Sequence, residues 1–129
     1  MFVDSAFGAP YVERLRAMGF SNVQEIRFGA TALDAHQANQ RAYMWAKLKE
    51  WLRGGMIPAD DTTLEMDLTG PGYHLNRQDQ LVIESKEKLA ARGISSPDDG
   101  DALALTFAAP VSPPAPPEPR YIPPSSPWL

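Results

Sequence analysis

The 129-residue sequence predicts a mixed α/β domain that ends in a proline-rich tail. Three observations lead there. The N-terminal part reads strand, helix, strand in a length that suits a parallel crossover unit. Apolar residues then recur at helical spacing through the middle of the chain. Finally, nine of the thirteen prolines crowd into residues 110–127. A segment so rich in proline and so poor in aliphatic residues favours extended conformations and cannot pack a core. Composition therefore separates a folded domain, residues 1–109, from a disordered tail, residues 110–129.

The balance of 43% apolar and 22% charged residues is that of a soluble globular protein, and the length allows one domain. No apolar run is long enough to span a membrane. The N-terminus lacks a charged region followed by an apolar stretch, so no signal peptide is expected. With no cysteine, the chain has no disulfide, no thiolate metal site and no cysteine nucleophile. The formal charge of −4 weighs mildly against autonomous DNA binding, which usually shows a basic surplus. It weighs less if the acids form a cation site, because a bound metal reverses the local field.

Phe2-Val3-Asp4 reads as the end of a short buried strand. Gly8 opens the backbone into a helix from about Pro10 to Met18, with Val12, Leu15 and Met18 as its apolar stripe and Gly19 as its stop. Residues 23–28 carry the next strand. After a loop from Gly29 to Asp34, the clearest helix is predicted from about Ala35 to Arg53. Met44, Trp45, Leu48, Trp51 and Leu52 form its apolar face, most simply read as core packing rather than a base-stacking platform. A short helix over Asp60–Leu68, capped by Asp60 or Asp61, comes next. Tyr73–Leu75 and Leu81–Glu84 then form a hairpin. Ser85 caps a helix from Lys86 to Arg92, stopped by Gly93, and a last helix runs from Ser96 to Ala109.

That last helix carries the residue that needs most explanation. Ser96 can cap it, Pro97 suits its first position, and Asp98 and Asp99 favour the positive end of its macrodipole. Asp101 lies a turn further in, against the run Ala102–Phe107, on the face of Leu105 and Ala108. A helix apolar all round is buried, and a buried carboxylate is costly unless a partner or a metal holds it. Asp101 is thus either a first-turn acid at a frayed end or a carboxylate held at the edge of a site. Asp4, at the carboxyl end of a strand, is either a ligand-site acid or a turn residue.

Acids converging from separate elements suit Mg²⁺ and Mn²⁺, which prefer oxygen ligands. Two such ions roughly 3.5–4 Å apart can activate water and stabilise a leaving oxygen in phosphodiester cleavage. Asp98 lies one turn before Asp101. Lys86, Lys88 and Arg92 make one basic helical face that is either solvated or, beside a site, suited to phosphate. His36 and His74 are isolated and lack metal-ligand spacing. No G-x-x-x-x-G-K-[ST] phosphate loop is present.

Several pieces, in order, carry a family resemblance. They are Phe2-Val3-Asp4, Glu13-Arg14-Leu15 with Gly19, Phe28-Gly29, Asn39-Gln40-Arg41-Ala42-Tyr43-Met44-Trp45 and Trp51-Leu52-Arg53-Gly54-Gly55-Met56-Ile57-Pro58. Leu81-Val82-Ile83-Glu84-Ser85-Lys86, Arg92-Gly93, Ser96-Pro97-Asp98 and Asp101–Phe107 complete the set. Together they resemble the C-terminal nuclease domain of the large terminase subunit of tailed bacteriophages and prophages, over about Phe2 to Ala109.

The resemblance implies a ribonuclease H-like, three-layer α/β/α fold and an endonuclease dependent on Mg²⁺ or Mn²⁺ that cuts concatemeric double-stranded DNA during packaging in the bacterial host cytoplasm. Two ions are implied for the complete site. Of the family's three main acids, Asp4 matches the second and Asp101 the third, with Asp98 as an accessory metal ligand. Lys86 and Arg92 are the expected DNA contacts. The family's first acid lies on a strand upstream of Phe2, and its ATPase domain lies further upstream. The chain is therefore expected to be partial, with the missing upstream part, the small terminase subunit and the portal as expected partners. The alternative expectation is a non-enzymatic remnant, or a module of the packaging machinery that binds through an open sheet edge or the tail.

Overall fold

Asp4 ends a strand and starts a helix in the computed structural model, which describes residues 1–111. Strand β1 (Phe2–Asp4) runs directly into helix α1 (Ser5–Ala17), whose first free amide is capped: Ala6 N–H donates to Asp4 Oδ1 at 3.0 Å. The helix thus begins five residues before the expected Pro10. Gly8 does not open the backbone there. It lets α1 lie against β1, because a Cβ at this position would collide with the Val3 side chain. At the other end, Gly19 N–H reaches Arg16 C=O and Phe20 N–H reaches Leu15 C=O, with Gly19 at φ 93°. This double bond pattern around a left-handed residue terminates the helix. Val12 is buried as expected, whereas Met18, at the exit, is exposed.

Strand β2 (Gln24–Ile26) then pairs in parallel with β1, Phe2 opposite Gln24 and Asp4 opposite Ile26. Helix α2 (Gln40–Trp51) begins five residues later than the spacing predicts. Asn39 caps it, accepting from Ala42 N–H at 2.9 Å, and the preceding residues are drawn elsewhere. Leu81 N–H donates to His36 C=O and Ala38 N–H donates to Leu81 C=O, so this segment pairs with a strand instead of winding into a helix. Helix α3 (Thr62–Thr69) is capped by Asp61. Strands β3 (Tyr73–Leu75) and β4 (Leu81–Ile83) form the expected antiparallel hairpin, Tyr73 opposite Ile83. Ser85 caps helix α4 (Lys86–Ala91), and Gly93 ends it as Gly19 ends α1.

The final helix, α5 (Asp98–Leu105), is shorter than expected, and Ser96 does not cap it. The Ser96 hydroxyl donates instead to Asp98 Oδ1 at 2.6 Å. Asp67 of α3 takes over the capping role by accepting from the backbone N–H groups of Asp99 and Gly100. Helices α2 and α5, with the turn that follows α5, supply the core: Met44, Trp45, Leu48, Ala104 and Ala108 are buried together, and Phe2, Ile26 and Ile83 from both sheets pack against them. The result is a mixed α/β fold of two short sheets leaning on one helix pair. Among the described residues no helix is long and apolar enough to cross a membrane. The proline-rich tail lies outside the described residues apart from its first two.

The close approach of α1 and β1 gives Gly8→Ala an unusual sign. Replacing glycine by alanine in a helix normally stabilises by about 1 kcal/mol. Here the added methyl overpacks Val3 and is expected to cost about 1–3 kcal/mol in urea unfolding. In a Val3→Ala background the same substitution should regain its ordinary sign.

Candidate metal and nucleic-acid site

Asp101 lies in the first turn of α5 and is only 5% exposed. Its Oδ1 accepts two hydrogen bonds from α2: Arg41 Nε donates at 2.9 Å and Trp45 Nε1 at 2.8 Å. Residues i and i+4 of a helix share a face, so Arg41 and Trp45 reach the same oxygen together. Arg41 is itself buried, with its guanidinium carbon 5.6 Å from the Trp45 ring centroid. Its Nη1 donates to the carbonyl of Glu84, just past β4, at 2.8 Å. One guanidinium thereby ties α2, α5 and the end of β4 to one another.

The other oxygen of Asp101 is treated differently. Oδ2 is buried and accepts no hydrogen bond from the described residues. Lys86 Nζ lies 3.4 Å from it, at ion-pair distance but without hydrogen-bond geometry. The same ammonium donates to Asp98 Oδ1 at 3.0 Å. Burial works against the Lys86 charge, but the hydrogen bond to Asp98 and the fields of Asp101 and Asp98 outweigh it and raise its pKa. Asp98 shifts the opposite way: the Ser96 hydroxyl, then Lys86, lower its pKa below the ordinary carboxylate value.

These groups border a cleft of about 1240 Å³. Asp4 and Ser5 line it at the end of β1, Arg27–Thr31 after β2, Asn39 and Arg41 at the start of α2, and Lys86 and Asp98 opposite. The structure therefore brings Asp4, Asp98 and Lys86 to one cleft, with Asp101 behind Arg41 and Lys86. Arg92 is placed elsewhere. It donates to both oxygens of Glu84, at 3.0 and 2.6 Å, and to the carbonyl of Gly70 at 3.0 Å. This pairing, with the Gly72 amide, lowers the pKa of Glu84.

A divalent cation suits the donor set at one position. Asp98 and Asp101 straddle a spot where the protein already keeps a positive charge, the Lys86 ammonium, and Asp101 Oδ2 has a free lone pair there. Among the described residues no group of three or more His, Asp or Glu side chains stands close enough to make a complete metal site. Sequence reasoning missed Arg41 and Asp67. The signal for Arg41 was present as a charged residue on the apolar face of α2, one turn before Trp45.

No protein-family model matches the sequence, and no curated protein matches it. Solved structures do. The nuclease domain of the large terminase subunit gp2 of bacterial virus Sf6 superposes with a TM-score of 0.65 at 19% identity, over 85% of this chain and 65% of that one. The chain has the fold of a terminase nuclease domain. A variant of the Sf6 domain determined with manganese superposes at 0.66 with 18% identity, over 84% of this chain and 65% of the other. A variant determined with calcium superposes at 0.65 with 19% identity, over 84% and 64%. The chain thus spans about 65% of the length of the terminase structures it matches. The ribonuclease H-like expectation is met at the level of a mixed α/β fold.

The Asp67 cap holds the first turn of α5, and with it Asp98 and Asp101. Asp67→Ala would leave the Asp99 and Gly100 amides unpaired and should lower stability by about 1–2 kcal/mol in urea unfolding. Asp67→Asn keeps an acceptor oxygen and should cost less.

Proposed function

We propose that the chain is the larger part of the nuclease domain of a phage DNA-packaging terminase large subunit, a divalent-metal-dependent endonuclease acting on concatemeric DNA. The observation that carries the reading is the Asp98–Lys86–Asp101 arrangement at a cleft that Asp4 also lines, within a terminase nuclease fold. The manganese and calcium in the Sf6 structures support a divalent ion as the partner of these acids. On this reading Asp98 and Asp101 hold Mg²⁺ or Mn²⁺ from α5, with Asp4 contributing from the end of β1 in the same cleft. A divalent ion held there lowers the pKa of water and neutralises charge on a phosphodiester.

The chain's own residues do the rest. Arg41 gives the buried Asp101 carboxylate the charged hydrogen-bond partner that its burial demands. Lys86 balances the two acids while no metal competes. Its side chain is 47% exposed, so the ammonium can leave on its flexible stem and pair with a phosphate oxygen. Arg92 would reach a phosphate only by giving up Glu84 and Gly70. The complete domain is proposed to have three layers, α/β/α, and to work in the host cytoplasm with an upstream segment, the small terminase subunit and the portal as partners.

Nicking of supercoiled plasmid in Mn²⁺, with chelator as control, tests this reading. Asp101→Asn removes a proposed metal ligand and should abolish both detectable nicking and Mn²⁺ binding. Absence of both cleavage and Mn²⁺ uptake in the folded wild-type chain would overturn it and favour a non-enzymatic binding module. Lys86→Ala removes the competing ammonium. Half-exposed ion pairs are worth up to about 1 kcal/mol, so calorimetry should show Mn²⁺ binding tighter by up to about fivefold, with the gain shrinking at high salt.

A further inference from the structure

We infer that Arg41 and Trp45 are positioning residues that aim Asp101, fixing the plane of its carboxylate so that one oxygen is held by α2 and the other is left for a cation. The inference rests on the reading of Asp101 as a cation ligand. A carboxylate rotates readily about its last torsion, because that torsion is broad and roughly two-fold. Here it is held. Both donors from α2 converge on Oδ1, at 2.9 Å from Arg41 and 2.8 Å from Trp45. Turning the carboxylate out of this plane would break two directed bonds to a charged acceptor, and a half-turn only returns an equivalent oxygen to the same two donors. Oδ2 is consequently held toward Lys86, buried and without a hydrogen bond of its own.

Neither donor is free to drift. The Arg41 fork is anchored by the Glu84 carbonyl, and the Trp45 ring is packed in the core with Gly100 beneath it, where a Cβ would come within 3.2 Å of the ring. The two residues thus resemble the outer-shell partners that orient metal ligands elsewhere, whose loss weakens metal binding roughly 10–100-fold.

Trp45→Phe removes the indole N–H and keeps an aromatic ring. Arg41→Lys keeps the positive charge and removes the planar fork. Gln40→Ala is the structural control: Gln40 is equally buried on α2, but its side chain donates to the Ala108 carbonyl and touches no candidate ligand. Mn²⁺ affinity by calorimetry and melting temperature are measured for each, beside wild type and Asp101→Asn. The expected result is Mn²⁺ binding weakened roughly 10–100-fold in Trp45→Phe and Arg41→Lys. Gln40→Ala should melt lower with unchanged affinity, and Asp101→Asn should not bind. Wild-type affinity in both folded α2 variants, with binding lost in Asp101→Asn, would overturn the positioning role and leave the cation site standing. Mn²⁺ binding absent from wild type, or unchanged in Asp101→Asn, would overturn the cation site and the positioning role with it.

Discussion

A carboxylate that is 95% buried organises this fold, and the cost of burying it explains the residues around it. An ionised carboxylate in an apolar core must be paired, and pairing is tolerable only where hydrogen bonds are made with good geometry. Asp101 meets that condition through a guanidinium and an indole on one face of α2. The partner charge is then buried as well, so it needs its own acceptor, which the end of β4 provides. Each step recruits another element. Helix α2 is fixed against α5, and both against the second sheet, by groups that lie within one turn of each other. Breaking a buried pair by removing one member commonly costs about 3–5 kcal/mol, because the other charge remains behind. That is a large share of the stability of a small domain.

The same logic operates at the start of α5. A helix N-terminus leaves unpaired amides, and Pro97, which occupies the cap position, has no side-chain acceptor. Asp67 crosses from α3 to take two of those amides. Gly100 leaves room for this, since a Cβ there would press on both Asp67 and Trp45. The first turn of α5 is therefore pinned from two sides, by α3 through the backbone and by α2 through Asp101. A rigid turn carrying Asp98 and Asp101 follows from these contacts and not from helix propensity, to which Gly100 is unfavourable.

Much of the local structure was legible in the sequence. The strand–helix–strand start, the hairpin, the Ser85 cap and the two glycine stops each have a short-range signal, and each is found. What could not be read was set by partners distant along the chain. Residues 36–38 looked helical because their pairing with Leu81 lies more than forty positions away. Ser96 looked like a cap because Asp67 could not be seen reaching the same amides. At the candidate site, the buried and demanding character of Asp101 was legible from the apolar run that follows it. Its partners were not, because Trp45 fitted the core stripe and nothing local distinguished its N–H from its ring. Arg92 and Lys86 shared a helical face in sequence, yet Glu84 draws the first away from the cleft and Asp98 holds the second at it.

The charge balance of the cleft completes the physical case for the proposed chemistry. Asp4, Glu87, Asp98 and the recessed Asp101 stand against Arg27, Arg41 and Lys86. Four carboxylates and three cations leave a small negative excess, which repels a phosphodiester. A divalent ion bound there would reverse that sign and, by competing for Asp98 and Asp101, would also free the Lys86 ammonium to pair with an incoming phosphate. Metal and nucleic acid would therefore bind cooperatively at this cleft, each improving the field for the other. On the proposed reading this reconciles an acidic chain with a DNA substrate: net charge sets long-range steering, while affinity at the site would depend on a field that a single bound ion would invert.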